Sequence, residues 1–325
     1  MRLRTRIITL ASAVALILIL STAYYWPVQD EYHPLNEEWN GCSKVVNASR
    51  NSTLLFSYGE ALAEHTLFAI VGPGLGFSQK EAAYVRIFLE SGGTVLLADD
   101  IGKGNSLLES LAVPARFSGQ LIDDLLYYSK RPDFPLITDF SASPLTDNVT
   151  AVLMNRPSFL QVENSSVVAV IASSSLFSFV VENGGGQPGA NEMLQSYPVM
   201  ASVRIGKGLL VLVSDPSVFT NEMIDFYDNM RLFRNILRIG GGSIAFDVGH
   251  IARASLTDLR TQFRTEIDSI RSSLLFSTWG VYTQSLIVAA IVLALFLHVR
   301  RNANIRTPGK KGQAFYAHSS SAAPG

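Results

Sequence analysis

Cysteine is almost absent: Cys42 stands alone among 325 residues. A disulfide-stapled secreted module is thereby excluded, because such scaffolds need an even and denser cysteine complement. Charge is sparse as well, with Asp, Glu, Lys and Arg making up 16% of the chain. The common catalytic signatures are missing, since neither G-x-S-x-G nor H-E-x-x-H occurs. The glycine-dense turn Gly72-Pro73-Gly74-Leu75-Gly76 is not G-x-G-x-x-G and has no P-loop lysine. It therefore reads as a turn with positive φ and not as a phosphate cradle.

The charges that are present are sorted by position. Arg2, Arg4 and Arg6 precede any acid, and Arg300, Arg301, Arg306, Lys310 and Lys311 follow the last one. All 27 acids lie between Asp30 and Asp268 and the other 18 Lys and Arg residues between Lys44 and Arg271, a balance of −9 for this middle part. An acidic middle disfavours a nucleic-acid partner, which needs a basic surface against phosphate.

Each basic end abuts a long apolar run, 7–26 and 279–299, with Trp26 and Trp279 on the inner sides. Twenty apolar residues at helical rise match the roughly 30 Å hydrocarbon core. Aromatic belts and the positive-inside rule then predict a two-pass protein of the cell membrane, with the membrane itself as a partner, both termini cytoplasmic and the main domain outside. Ser21-Thr22-Ala23 also fits signal-peptide cleavage, which stays open as an alternative for the first run. The expected segments are a basic N-terminus (1–6), a transmembrane anchor (7–26), an α/β domain (27–252), an amphipathic helix (253–278), a second span (279–299) and a basic, disordered tail (300–325). Four N-x-Ser/Thr sequons, at Asn47, Asn51, Asn148 and Asn164, are compatible with an outside location.

Within 27–252, short apolar runs such as Leu67–Val71, Thr94–Ala98, Val167–Ala172 and Leu209–Val213 end in small or acidic residues. Near-continuous apolar runs suit strands buried on both faces of a parallel sheet. Ser78 followed by Glu81 is a capping box that opens a helix stopped at Gly92-Gly93. Alternating strands and helices predict a right-handed doubly wound α/β sheet. Pro132, Pro135, Pro144 and Pro157 mark residues 113–166 as less regular, antiparallel or edge material, and Gly206-Lys207-Gly208 reads as a hairpin. Leu256, Leu259, Phe263, Ile267, Ile270 and Leu274 form an a/d seam that must pack on its own domain or on another chain.

Ligands of a doubly wound sheet bind beyond the carboxyl ends of its strands. The candidate edge is therefore Gly72, Gly74, Asp99, Asp100, Asn105, Ser214, Asp215 and Asn221. Asn105 also reads as the cap of the helix that follows it. Asp99-Asp100 carries the oxygens a divalent cation prefers, but such a pair more often organises a loop, and no metal or cofactor is assigned. Asp247 and His250, at the end of strand 243–248, form the one acid–histidine pair. No nucleophile with a base can be named, so no catalytic residue is assigned.

Three segments carry a resemblance: Glu38-Trp39-Asn40-Gly41-Cys42-Ser43; Gly92-Gly93-Thr94-Val95-Leu96-Leu97-Ala98-Asp99-Asp100 with Gly102 to Leu108; and Gly206-Lys207-Gly208 through Ser214-Asp215-Pro216-Ser217 to Asn221-Glu222-Met223 and Asp228-Asn229. Together they resemble the domain-of-unknown-function 4350 family of membrane-anchored archaeal and bacterial proteins. The resemblance implies a flavodoxin-like, class I glutamine amidotransferase-like fold without the catalytic cysteine. It further implies partners among MoxR-type ATPases and von Willebrand factor A-like proteins. The expected function is a non-catalytic, membrane-anchored binding or scaffold domain. A cryptic hydrolase or amidotransferase-like enzyme, and a ligand sensor, are the alternatives.

Overall fold

The computed structural model describes residues 27–49, 51–164, 166–181, 188 and 193–251, with helical positions at 12, 13, 15, 16, 18–21, 266 and 267. In chain order the strands are β1 (Asn51–Leu55), β2 (Leu67–Val71), β3 (Thr94–Ala98), β4 (Ala115–Phe117), β5 (Ile122–Asp124), β6 (Leu136–Ile137) and β7 (Asp139–Phe140). They continue as β8 (Val152–Leu153), β9 (Leu160–Val162), β10 (Val168–Ser173), β11 (Ser178–Val180), β12 (Pro198–Ile205), β13 (Gly208–Val213) and β14 (Ser243–Asp247). The α-helices are α1 (Ser43–Ala48), α2 (Gln79–Glu90), α3 (Asn105–Ser110) and α4 (Asn229–Ile239).

One eight-stranded sheet, in the order β1-β14-β2-β3-β13-β12-β10-β7, organises the domain. The first five strands run parallel, and β12, β10 and β7 then alternate antiparallel. Alternate residues of each central strand feed opposite faces, as a pleat requires. Phe68, Ile70, Val95, Leu97, Leu210 and Leu212 pack with α2, through its buried Val85, Phe88 and Leu89. Their neighbours Ala69, Leu96, Val211 and Val213 pack with Leu232, Phe233 and Ile236 of α4. Each fully buried side chain of this kind contributes roughly 1.5–3 kcal/mol. Helix α2 starts where the sequence places it, because Ser78 Oγ accepts the Glu81 N–H and Glu81 accepts the Ser78 N–H.

The doubly wound, flavodoxin-like expectation is corrected by this topology. Among the described residues only α2 and α4 exceed two turns, and the chain between β3 and β10 forms no crossover helix there apart from the short α3. It supplies the edge strand β7 and five of the six strands of three two-stranded ribbons: β4 pairs with β9, β6 with β8, and β5 with β11, all antiparallel. Strand β12 then returns beside β13 as a hairpin, which turns the second half of the sheet antiparallel. The architecture is a mixed sheet with few helices.

The membrane frame is corrected too. No helix among the described residues is long and apolar enough to cross a membrane. The run 279–299 lies outside the described residues, as does 7–26 except for its helical positions between 12 and 21. The structure thus gives no support to a fold set between two spans or to a two-pass protein of the cell membrane. Segments 1–6 and 300–325 also lie outside the described residues, as does 253–278 apart from Glu266 and Ile267.

Candidate functional site

Parallel pairing puts the ends of β2, β3 and β13 in register, with Val71 and Val213 both opposite Ala98. Gly72, Asp99 and Ser214 therefore leave the sheet in one row. The Gly72 N–H donates to Ala98 O (2.9 Å) and the Asp99 N–H to Val213 O (3.0 Å). These three strand ends form one edge, and the side chains of Asp99, Ser214 and Asp215 bond to the domain's own backbone. Asp99 is fully buried, and its Oδ1 accepts the N–H groups of Ile101 (3.0 Å) and Gly102 (3.1 Å). Its Oδ2 accepts the Gly104 N–H at 2.6 Å. Asp215 accepts the N–H groups of Ser217 and Asn155, each at 2.7 Å. Ser214 Oγ donates to Ser158 O (2.9 Å), and the Ser158 N–H returns to Ser214 O.

Gly72 sits at φ 60, and a Cβ there would collide with the Tyr32 ring, so this turn is covered and offers no cradle. Gly74 is tied instead to the end of the domain, its N–H donating to His250 O at 2.8 Å. Asn105 does not cap α3, whose cap position is Gly104. Its side chain pairs like a strand residue with Phe117, donating to Phe117 O and accepting the Phe117 N–H, both at 2.9 Å. Asn221 reaches away from the edge to the segment 36–44.

What converges at the edge is acidic. Burial, then the charge of Asp99, pushes the Asp100 carboxyl up to about 6. Burial pushes Asp215 up to about 7 against the N–H groups it accepts, with Asp100 adding to the rise. Burial and the same two carboxylates hold the Tyr32 phenol well above its ordinary value. Carboxyls held near neutral pH have an acidity suited to proton transfer, but the two oxygens of Asp215 accept the Asn155 and Ser217 N–H groups of the domain itself. Cys42 is buried, and burial also pushes its thiol up, away from the thiolate form that attacks. Among the described residues no group of three or more His, Cys, Asp or Glu side chains could hold a metal ion.

Asp247 and His250 do meet, and they gain two partners the sequence could not show. His250 Nδ1 lies 3.0 Å from Asp247 Oδ2 and 3.1 Å from the Tyr58 hydroxyl. Its Nε2 lies 3.5 Å from Glu81 Oε1, and its ring stacks on Phe77 at 4.0 Å. Burial alone would lower its pKa, but the hydrogen bond and charge of Asp247, then those of Glu81, raise it. Both ring nitrogens face carboxylates, so His250 works as a clamp between the loop after β14 and helix α2. A raised folded-state pKa gives stability that is full below about pH 6.5 and is lost as pH rises through the folded value. His250→Gln is therefore expected to cost most near pH 6 and progressively less toward pH 9. Thermal unfolding of both proteins across that range checks this, and a gap that stays constant with pH would refute it.

Two cavities among the described residues lie elsewhere. One of about 410 Å³ opens at the opposite edge of the sheet, between Leu62, Tyr84, Ile87, Phe88 and Gly93. Another, of about 560 Å³, lies over β10, β12 and β13 beside Arg204, Ser202 and Ile239. Sequence reasoning also missed Asp124, a buried carboxylate that organises two loops.

Fold and edge together define a mixed α/β domain whose strand ends are sealed by its own backbone. The chain belongs to the DUF4350 family, a domain of unknown function, whose model matches residues 34–237. No curated protein matches it. Among solved structures it is similar to the mmIFT52 N-terminal domain, at 17% identity and a TM-score of 0.43 over 56% of this chain and 80% of that one. It is also similar to a β-galactosidase from Bacillus circulans sp. alkalophilus, at 12% identity and a TM-score of 0.34 over 56% of this chain. A Rahnella sp. R3 β-galactosidase gives 11% and 0.34 over 53% of this chain. The chain spans 23% and 22% of those two enzymes.

Proposed function

We propose that the domain is a non-catalytic binding or scaffold domain. The observation that supports this is where the polar side chains of the strand edge spend their hydrogen bonds. Asp99, Ser214 and Asp215 each bond to the backbone of the domain itself. Asn105 and Asn221 do the same at a distance from the edge. A catalytic constellation needs a nucleophile in reach of a base and donors aimed at the reacting atoms. His250, the nearest approach to a base, has carboxylates on both nitrogens. The full-length protein is expected to show no turnover of glutamine or of activated esters. Activity that survives purification and disappears in His250→Ala or Asp99→Asn would overturn this reading.

A further inference from the structure

The loops beside the β5–β11 ribbon carry an unusual set of exposed residues. Leu126 is 60% exposed and Leu176 71%, and Tyr127, Tyr128 and Phe177 are exposed beside them. They come from two segments about fifty residues apart, joined where the Leu125 N–H donates to Phe177 O (3.1 Å) and where Ser178 pairs with Asp124. Monomers seldom leave large apolar residues clustered at the surface unless the patch has a use.

The patch is built. Asp124, only 1% exposed, divides its two carboxylate oxygens between the two loops. Oδ1 accepts the N–H groups of Leu126 (2.9 Å) and Tyr127 (2.7 Å). Oδ2 accepts the hydroxyls of Ser175 (2.6 Å) and Ser178 (2.8 Å). Ser175 Oγ in turn accepts the Phe177 N–H at 3.0 Å, and the Leu136 N–H donates to Tyr127 O at 2.9 Å. A buried charge is costly unless it is fully bonded, and here its bonds go to holding apolar side chains out in solvent. Such preorganisation removes ordering cost from a binding event.

We infer that this platform docks a segment of another protein that offers an apolar anchor next to carboxylates. The inference rests on the reading of the domain as a binding module and names its surface. The anchor follows from the exposed Leu, Tyr and Phe side chains, Tyr being a frequent hot-spot residue. The carboxylates follow from Lys130 and Arg131, two and three residues after Tyr128, on a chain whose middle part carries a balance of −9. Arg131 is shared with Asp133 at 2.8 Å, whereas Lys130 has no ion pair among the described residues. An anionic lipid surface calls for a larger cluster, about four to eight basic residues. Pairing of the patch with a second copy across a two-fold would bring the same cations face to face.

The test is selection of displayed random peptides on the immobilised full-length protein, followed by titration of the selected peptides. The expected consensus is an aliphatic or aromatic residue flanked by Asp or Glu. Leu176→Ser should weaken binding about tenfold or more, and Lys130→Glu about threefold. Ile87→Ser, an exposed apolar position on α2, should leave binding unchanged and so controls for general stickiness. Asp124→Asn should weaken binding through the loops, and the surface variants keep the test sound if it fails to fold. A selection without that consensus, or binding indifferent to Leu176, overturns the inference and leaves the non-catalytic reading standing. So does concentration-dependent self-association, or co-sedimentation with phosphatidylserine vesicles, that is lost in Leu176→Ser. Mass spectrometry of the peptides after incubation separates the two failures: cleaved or modified peptides overturn the non-catalytic reading itself.

Discussion

Asn221→Ala is expected to destabilise the protein by about 3–5 kcal/mol, since each buried partner left unpaired costs roughly 1–3 kcal/mol. The Asn221 amide donates to Asn36 O (2.9 Å) and Glu38 O (2.7 Å). Its Oδ1 accepts the Lys44 N–H (2.9 Å) and the Ser43 hydroxyl (3.3 Å). The backbone completes the seam, with the Asn221 N–H donating to Gly41 O (2.7 Å) and the Glu222 N–H to Trp39 O (2.9 Å). One side chain, 6% exposed, thus holds a segment nearly 180 residues away in sequence. Aspartate at this position would keep the acceptor for Lys44 but set a carboxylate oxygen against two carbonyls, so Asn221→Asp should be no better than alanine. Urea unfolding gives the free energies, and limited proteolysis near Trp39 gives the local consequence. A cost below about 1 kcal/mol with unchanged proteolysis would show that the segment is held by other contacts.

That same residue shows what could be read before folding and what could not. The strands of the parallel half were legible because Leu67–Val71, Thr94–Ala98 and Leu209–Val213 are buried on both faces and so carry no polar alternation. Helix α2 was legible because Ser78 and Glu81 close a local hydrogen-bonded box. Strands β4 to β9 are two or three residues long, too short for any period to register, and with them went the ribbons beside the sheet and its edge strand β7. Asn105 and Asn221 looked like ligand-facing amides because they follow strands of the right kind. Their use is set by which distant backbone groups arrive within 3 Å, and sequence carries no sign of that. The Asp247–His250 pair was visible at a spacing of three, whereas Tyr58 and Glu81, more than 160 residues upstream, were not. Asp124 gave no signal at all, being one acid of an Asp-Asp pair in an unpatterned stretch.

The second large effect is expected at Gly208, the first residue of β13. The turn Gly206-Lys207-Gly208 reads from sequence as a hairpin, and it is one, joining β12 to β13 with Ile205 opposite Gly208. Hairpin geometry is not what demands glycine at 208, because its φ lies outside the left-handed region. The demand comes from the end of α2, which passes directly over the strand. A Cβ at 208 would overlap the carbonyl oxygens of Leu89 and Gly93 and lie 2.8 Å from Leu89 Cα. All three are backbone atoms of a helix end and a strand start buried in the core, so no side chain can swing aside. Relief requires α2 to lift from the sheet, which opens the packing of Phe88 and Leu89 against Leu210 and Leu212. Gly208→Ala should therefore cost about 3 kcal/mol or more, in the range of severe overpacking. Gly59→Ala is the matched control: its φ of 178 is extended and nothing lies within 4 Å of the added Cβ. That substitution should be neutral within about 0.5 kcal/mol or slightly stabilising, because alanine narrows the unfolded ensemble. Denaturant unfolding of the two variants side by side decides the matter, and equal costs would mean that the approach of α2 to β13 is not what fixes this glycine.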